Sequence, residues 1–329
     1  MASQPVQQKL NRYPPYPFLT SKMATLLLLI LFCFTSSTWA SESAEPSHLA
    51  ISSLLLDGAQ YENRMVVVGE RGHILYSEDQ GHNWLQAEVP TRVMLTGTFL
   101  LNHQNIWAVG HDATIIKSND GGKNWQLSYR APDKETPLLD IWFKDQNNGF
   151  AIGGYGLFLE TQDGGKNWTQ RWISEEDDFH LNHITATEKG TLFIAAESGV
   201  VYRSTDEGAS WISLVTPYPG SFFGTLSIAT NQLIVFGLRG HLFISQDNGD
   251  NWNKLASQTT AMLTSAIKTK DNRCVVAGLS GVLLVDAQCN GKTLKLLQRP
   301  DRSGISALLQ SNENSLILIG ESGITRWQL

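Results

Sequence analysis

Short apolar runs separated by glycine-bearing turns recur along this chain from about residue 54 onward, at an almost constant interval. In each repeat one run precedes a pair of small residues and another follows it. The first runs are Met65–Val68, Ile106–Val109, Phe150–Ile152, Leu192–Ala195, Leu233–Phe236, Cys274–Ala277 and Leu316–Ile319. The pairs are Gly69/Gly72, Gly110/Ala113, Gly153/Gly156, Ala196/Gly199, Gly237/Gly240, Gly278/Gly281 and Gly320/Gly323. Runs this short, bounded by turn residues, predict β-strands, and the glycines suit tight hairpins that need positive φ. A more variable strand opens each repeat, as in Met94–Leu101 or Pro137–Phe143, and another starts at a recurring tryptophan. Four antiparallel strands per unit make a propeller blade. The second member of the pair falls at 72, 113, 156, 199, 240, 281 and 323, which predicts an all-β, seven-bladed β-propeller. The seventh repeat stops one strand after Gly323, so the stretch around Ser41–His48 is expected to supply its outer strand, or else to leave that blade three-stranded with the first blade packed against it. No long segment after residue 40 has helical periodicity.

The polar positions repeat as well. SEDQGHNW (77–84), SNDGGKNW (118–125), TQDGGKNW (161–168), STDEGASW (204–211) and SQDNGDNW (245–252) share one pattern, Ser/Thr-x-Asp-x-Gly-x-x-Trp. The aspartates Asp79, Asp120, Asp163, Asp206 and Asp247 are expected to accept hydrogen bonds from their own turn backbone. The tryptophans Trp84, Trp125, Trp168, Trp211 and Trp252 are expected to pack between neighbouring blades. These positions read as structural staples, and the chain offers no catalytic, cofactor-binding or metal-binding set.

Composition adds a compartment. Lys9, Arg12 and Lys22 precede the apolar run Met23–Phe34, which leads to Thr35 through Ala40, so residues 1–40 read as a secretory signal peptide and 41–329 as the propeller. The run is short for a membrane span, so no stable span is expected after cleavage. Phe32 before Cys33 argues against lipidation. The mature chain would carry 22 Lys+Arg against 31 Asp+Glu, a net charge of −9 where the full chain has −6, a poor match to nucleic acid. Two cysteines remain, Cys274 and Cys289, both in repeat six, where DAQCNGKT (286–293) replaces the box. In an antiparallel blade both fall at one end of the sheet, and a disulfide between them is expected in an oxidising compartment such as the periplasm or an equivalent lumen.

The box is the Asp-box, or BNR repeat. Combined with V-G-x-x-G-x-(I/V)-(L/Y)-x-S-x-D-x-G-x-x-W, as in Val68 through Trp84, it resembles the photosystem II stability/assembly factor family of plastids and cyanobacteria, which has relatives in non-photosynthetic bacteria. The resemblance spans roughly residues 45–329 and implies a seven-bladed, non-catalytic propeller. Photosynthetic members assist photosystem II assembly by binding a reaction-centre subunit precursor through a basic patch of arginines. In this chain arginines are scattered, and only Arg71 and Arg239 share a turn position, which the other repeats fill with Asp112, Tyr155, Ser198, Ser280 and Ser322. A bacterial relative that helps assembly or export of an envelope or membrane protein fits this departure.

Other chemistry is less well supported by the residues. A sialidase-like or carbohydrate-binding propeller is the alternative, but the stretch Leu54–Met65 before the first box holds only Arg64 and no Arg-Ile-Pro segment. Glu175-Glu176-Asp177-Asp178 followed by His180 and His183 matches no strong metal-ligand spacing and reads as a solvated loop. Box turns should occupy one face of the propeller and the glycine-pair turns and inter-repeat links the other. The links Glu88–Met94, Arg130–Pro137, Trp172–His183 and Pro217–Gly224 vary most, and variable loops on a rigid scaffold are where binding resides. A protein partner is therefore expected on that face, at Arg71, Arg92, Arg130, Arg239, Tyr218, Phe222 and Phe223, with the propeller acting as a monomer; the aromatics of Pro217–Gly224 fit a contact patch and a core-filling role beneath the loop equally.

Overall fold

The computed structural model of the protein describes residues 43–312 and 314–329. The expected signal peptide, residues 1–40, lies outside the described residues. The described chain builds seven antiparallel sheets in sequence order, six four-stranded and one three-stranded. Blade one is typical. Its inner strand Leu55–Tyr61 pairs with Arg64–Gly69, which pairs with Ile74–Ser77 and then with the short outer strand Leu85–Gln86. The second strand of every blade is almost wholly buried, which is why the apolar runs before the glycine pairs are continuous rather than alternating. In blades one to six the hairpin after that strand holds a residue near φ 55°, in turn Arg71, Asp112, Tyr155, Ser198, Arg239 and Ser280. The next position takes positive φ too, and in blade one a Cβ on Gly72 would run into the carbonyl oxygen of Thr91.

Neighbouring inner strands stand side by side round a central channel, and blade seven meets blade one. Met65 and Val67 of blade one share a core with Leu309, Ile317 and Ile319 of blade seven. The backbone N–H of Gln310 donates to Gln60 Oε1 at 2.7 Å, and Ser311 Oγ donates to the Gln80 carbonyl at 2.8 Å. Blade seven keeps three strands, Ile305–Asn312, Ser315–Gly320 and Gly323–Gln328. Residues 43–52 do not add a fourth. Instead Ala44 donates its N–H to the Val89 carbonyl at 2.9 Å, and Ala50, fully buried, enters the core between blades seven and one. The stretch thus covers the joint without extending the sheet, the second of the two expected arrangements.

Every inner strand carries a β-bulge just after its first residue. The extra residues, Leu56, Thr96, Leu139, Asn182, Phe223, Thr264 and Ser306, all line the channel. Three of them clip their blade to the next through the carbonyl of that blade's first inner residue. Thr96 Oγ1 donates to Leu138 at 2.6 Å, Asn182 Nδ2 to Phe222 at 2.8 Å and Thr264 Oγ1 to Ile305 at 2.5 Å.

The boxes are built alike. Ser77 Oγ donates to Asp79 Oδ1 at 2.8 Å and accepts the Gly81 N–H at 2.9 Å, while Asp79 accepts the N–H groups of His82 and Asn83 and the Asn83 side chain. These bonds hold the Asp79 carboxyl well below the usual carboxylate range, the Asn83 contacts contributing most. The same network lowers Asp163 and Asp206 to about 2. Trp125, 5% exposed, packs against Val66 and Val68 of blade one and Ile106 of its own blade, and its indole N–H donates to the Gly122 carbonyl at 3.0 Å. Blade six lacks the box. There Asp286 takes the serine's place and accepts the N–H groups of Asn290 and Gly291, and a disulfide joins Cys274 to Cys289, whose Cα atoms are 4.7 Å apart.

Candidate functional site

The glycine-pair turns and the links share one end of the strands, opposite the boxes, and on that end a groove of about 740 Å³ opens beside the blade-five turn. Arg239 stands at the tip of that turn and is exposed. Lys254 comes from the two-residue outer strand Asn253–Lys254, and Ser257, Thr259 and Thr260 from the link to blade six. No carboxylate lines the groove, and neither cation forms an ion pair among the described residues. Tyr218 stacks on the lining residue His241 with ring centroids 3.8 Å apart. Burial, then the charges of Lys254 and Arg239, lower the His241 pKa, which disfavours a third positive charge beside the two cations of the groove.

The remaining candidates from the sequence are not gathered there. Arg71 is exposed on the blade-one turn next to Glu70, and Arg92 lies 3.7 Å from Glu45. Arg130 is half-buried and bonded to Asp112 at 3.0 Å. Of the two roles open to the aromatics of the Pro217–Gly224 link, Phe222 takes the core-filling one, and Phe223 is not on the exposed link either. The strand Phe222–Ala229 starts earlier than its Pro-Gly-rich prelude suggests, so Phe222 is 0% exposed in the core between blades four and five and Phe223 is the bulge residue facing the channel. Likewise the strand Leu181–Ala186 takes His183 out of its link. His180 stays near Glu197 while His183 turns to the channel, and among the described residues no cluster of His, Cys, Asp or Glu has the arrangement of a metal site.

The channel holds a second polar set in about 380 Å³, with no arginine in its lining. An arginine cluster there is what a sialidase-like reading requires, and the lining carries carboxylates instead. Asp57 Oδ2 accepts the Thr98 N–H of blade two at 2.8 Å, and Asp140 Oδ2 accepts the Ile184 N–H of blade four at 2.9 Å. Burial above all raises their pKa values to about 8 and about 7, with the charge of Asp140 adding to the effect on Asp57. Burial pushes His183 down to about 4, although its side chain keeps some contact with channel water. These groups are used up in tying blades together, so the groove has the freer chemistry.

Sequence reasoning missed Lys254, His241 and the link hydroxyls. Lys254 follows the box tryptophan Trp252 by two residues, where the other boxed repeats place Gln86, Leu127, Gln170 and Ser213, so a lysine out of register with its repeats was the available signal.

Comparisons with known proteins agree with this architecture. Among curated proteins none matches the chain. Among solved structures, YCF48 bound to D1 peptide superposes with a TM-score of 0.68 at 18% identity, covering 88% of this chain and 97% of that one. YCF48 from Cyanidioschyzon merolae gives 0.67 at 15% identity, covering 85% and 96%. The WD40 β-propeller domain of Doa1 gives 0.64 at 11%, covering 87% and 94%, so likeness at this level speaks for the fold alone. A model of the family described as Photosynthesis system II assembly factor YCF48 matches residues 90–153 and 130–308. That match takes in most of the propeller, and the chain belongs to this family of assembly-factor propellers.

Proposed function

We propose that this propeller is a non-catalytic assembly factor that holds a carboxylate-bearing segment of an envelope or membrane protein in the groove beside blade five. The observation that carries the reading is the pair Arg239 and Lys254, which form no ion pair among the described residues and line one groove with His241 and the link hydroxyls. Two cations in a groove without a competing acid favour carboxylate through charge-assisted hydrogen bonds. Membership of the assembly-factor family and the likeness to a YCF48 that binds a D1 peptide support a peptide segment as the ligand. The reading includes export as a monomer to the periplasm or an equivalent lumen; the leader-like residues 1–40 and the Cys274–Cys289 disulfide support it. The test is co-purification from the native envelope. Arg239→Glu with Lys254→Glu is expected to release the partner, and Lys166→Glu with Asn124→Asp on the box face to retain it. The opposite result sinks the assignment.

A further inference from the structure

Blade three departs from the others at the tip of its glycine-pair turn. Tyr155 occupies the left-handed position, φ 53°, where other blades place Arg, Asp or Ser, and it is 61% exposed. The next link wraps back over this turn: Gly156 donates its N–H to the Phe179 carbonyl at 3.0 Å, and the His180 ring meets the Tyr155 ring edge-on, centroids 4.9 Å apart. Trp172, 62% exposed, lies against the same turn, its Cζ3 3.8 Å from where a Cβ on Gly156 would sit, and the Asp178 backbone is 3.6 Å from that point. Two large aromatic side chains are thus exposed at one turn. Elsewhere in this fold aromatic rings are mostly turned inward, and fixed aromatic rings in solvent mark contact surfaces.

The link that carries Trp172 is acidic, and its charge selects the occupant. Glu175, Glu176 and Asp178 are exposed, and none is in an ion pair among the described residues. Asp177 is committed to Ser174 and to the Tyr202 hydroxyl. Aromatic faces attract a cation, and carboxylates beside them reinforce it. Anionic lipid would be repelled by the same carboxylates, which argues against a membrane as the occupant of this pair of aromatic rings.

We propose that the Tyr155–Trp172 surface of blade three, rimmed by Glu175, Glu176 and Asp178, receives a lysine or arginine side chain of a protein partner. This rests on the protein-binding reading above and extends it, because the acidic sector at blade three and the cationic groove at blade five would then orient a segment of mixed charge across one face. The test is an indole N–H NMR titration of the purified protein, with the Trp172 signal assigned from Trp172→Phe. The probe is a short leucine-rich peptide bearing two lysines, run beside the same peptide with both lysines acetylated and beside vesicles containing phosphatidylglycerol. The lysine peptide is expected to move the Trp172 signal, the acetylated peptide and the vesicles to leave it in place. Tyr155→Asn, which suits the left-handed backbone, and Glu175→Gln with Glu176→Gln should each weaken the peptide about tenfold. Arg239→Glu with Lys254→Glu should not weaken it. A still Trp172 signal, equal response to the acetylated peptide, or a response to the vesicles overturns the proposal. If the groove variants meanwhile release the envelope partner, the failure belongs to this surface and the reading of the groove stands.

Discussion

Replacing Trp125 by alanine tests the structural role of the boxes at the site where the ring is deepest. The indole is 5% exposed and fills the seam between blades one and two, against Val66, Val68 and Ile106. Emptying a well-packed aromatic site costs about 3–5 kcal/mol, because the transfer energy of the ring and the cavity left behind add. The Gly122 carbonyl also loses its 3.0 Å indole donor, worth about 1 kcal/mol when buried. The packed strands on both sides limit collapse, so roughly 4 kcal/mol is expected for Trp125→Ala. With about 2 cal/mol/K of unfolding entropy per residue, a propeller of this size would melt on the order of 6 °C lower. Urea denaturation followed by circular dichroism gives the number. Trp84→Ala, whose ring is only half-buried, should cost less. A Trp125→Ala cost below about 1 kcal/mol would refute the claim that box tryptophans hold blade to blade.

Three further outcomes follow from the same structure. Reduction of Cys274–Cys289, which closes a loop of 15 residues, should lower stability by about 3 kcal/mol, and alkylation of two thiols in the unreduced, denatured protein would show that the bond is absent. Deleting residues 43–50 removes the Ala44–Val89 bond and the buried Ala50 from the joint of blades seven and one, and the melting temperature should fall by several degrees; an unchanged melt contradicts the role given to this segment. In the channel, Asp57 and Asp140 are raised to about 8 and about 7, so their contribution is full below their unfolded value near 4 and is lost as pH rises through 7 to 8. His183, lowered to about 4, acts oppositely, its contribution being present above its ordinary value of 6.5 and lost as pH falls towards 4. Above pH 6.5 only the carboxyl trend remains, so Asp57→Asn with Asp140→Asn should raise the melting temperature at pH 8.5 relative to wild type and not at pH 4; equal shifts at both would count against the buried carboxyls.

The repeat count and blade order were legible because the fold repeats its turn chemistry. Five boxes repeat a serine or threonine, an aspartate, a glycine and a tryptophan, and seven hairpins repeat a positive φ at the second member of the pair, so the copies leave a period in the chain. The channel left no such trace. A bulge adds one residue to a strand without changing its composition, and it moved Phe223 from an expected surface link to the channel wall and let Phe222 anchor a core. Proline and glycine at 217, 219 and 220 hid the start of that strand. The groove was invisible for another reason: Arg239 and Lys254 are far apart in the repeat pattern, and only the sheet brings them to one side of His241. The pairing of Cys274 with Cys289 could be read because both positions sit at one end of one blade, a relation that strand spacing alone supplies.

The most direct test of a protein-binding groove places a photo-crosslinking amino acid at Thr260, on its rim, and in a second variant at Asn124, on the box face. Irradiation in the living host, followed by mass spectrometry, reads the neighbour at each point. The account predicts a discrete adduct with an envelope or membrane protein from position 260 that disappears when Arg239→Glu and Lys254→Glu are added, and none from position 124. An adduct from position 124 alone, or one at position 260 that survives the charge reversal, would contradict it.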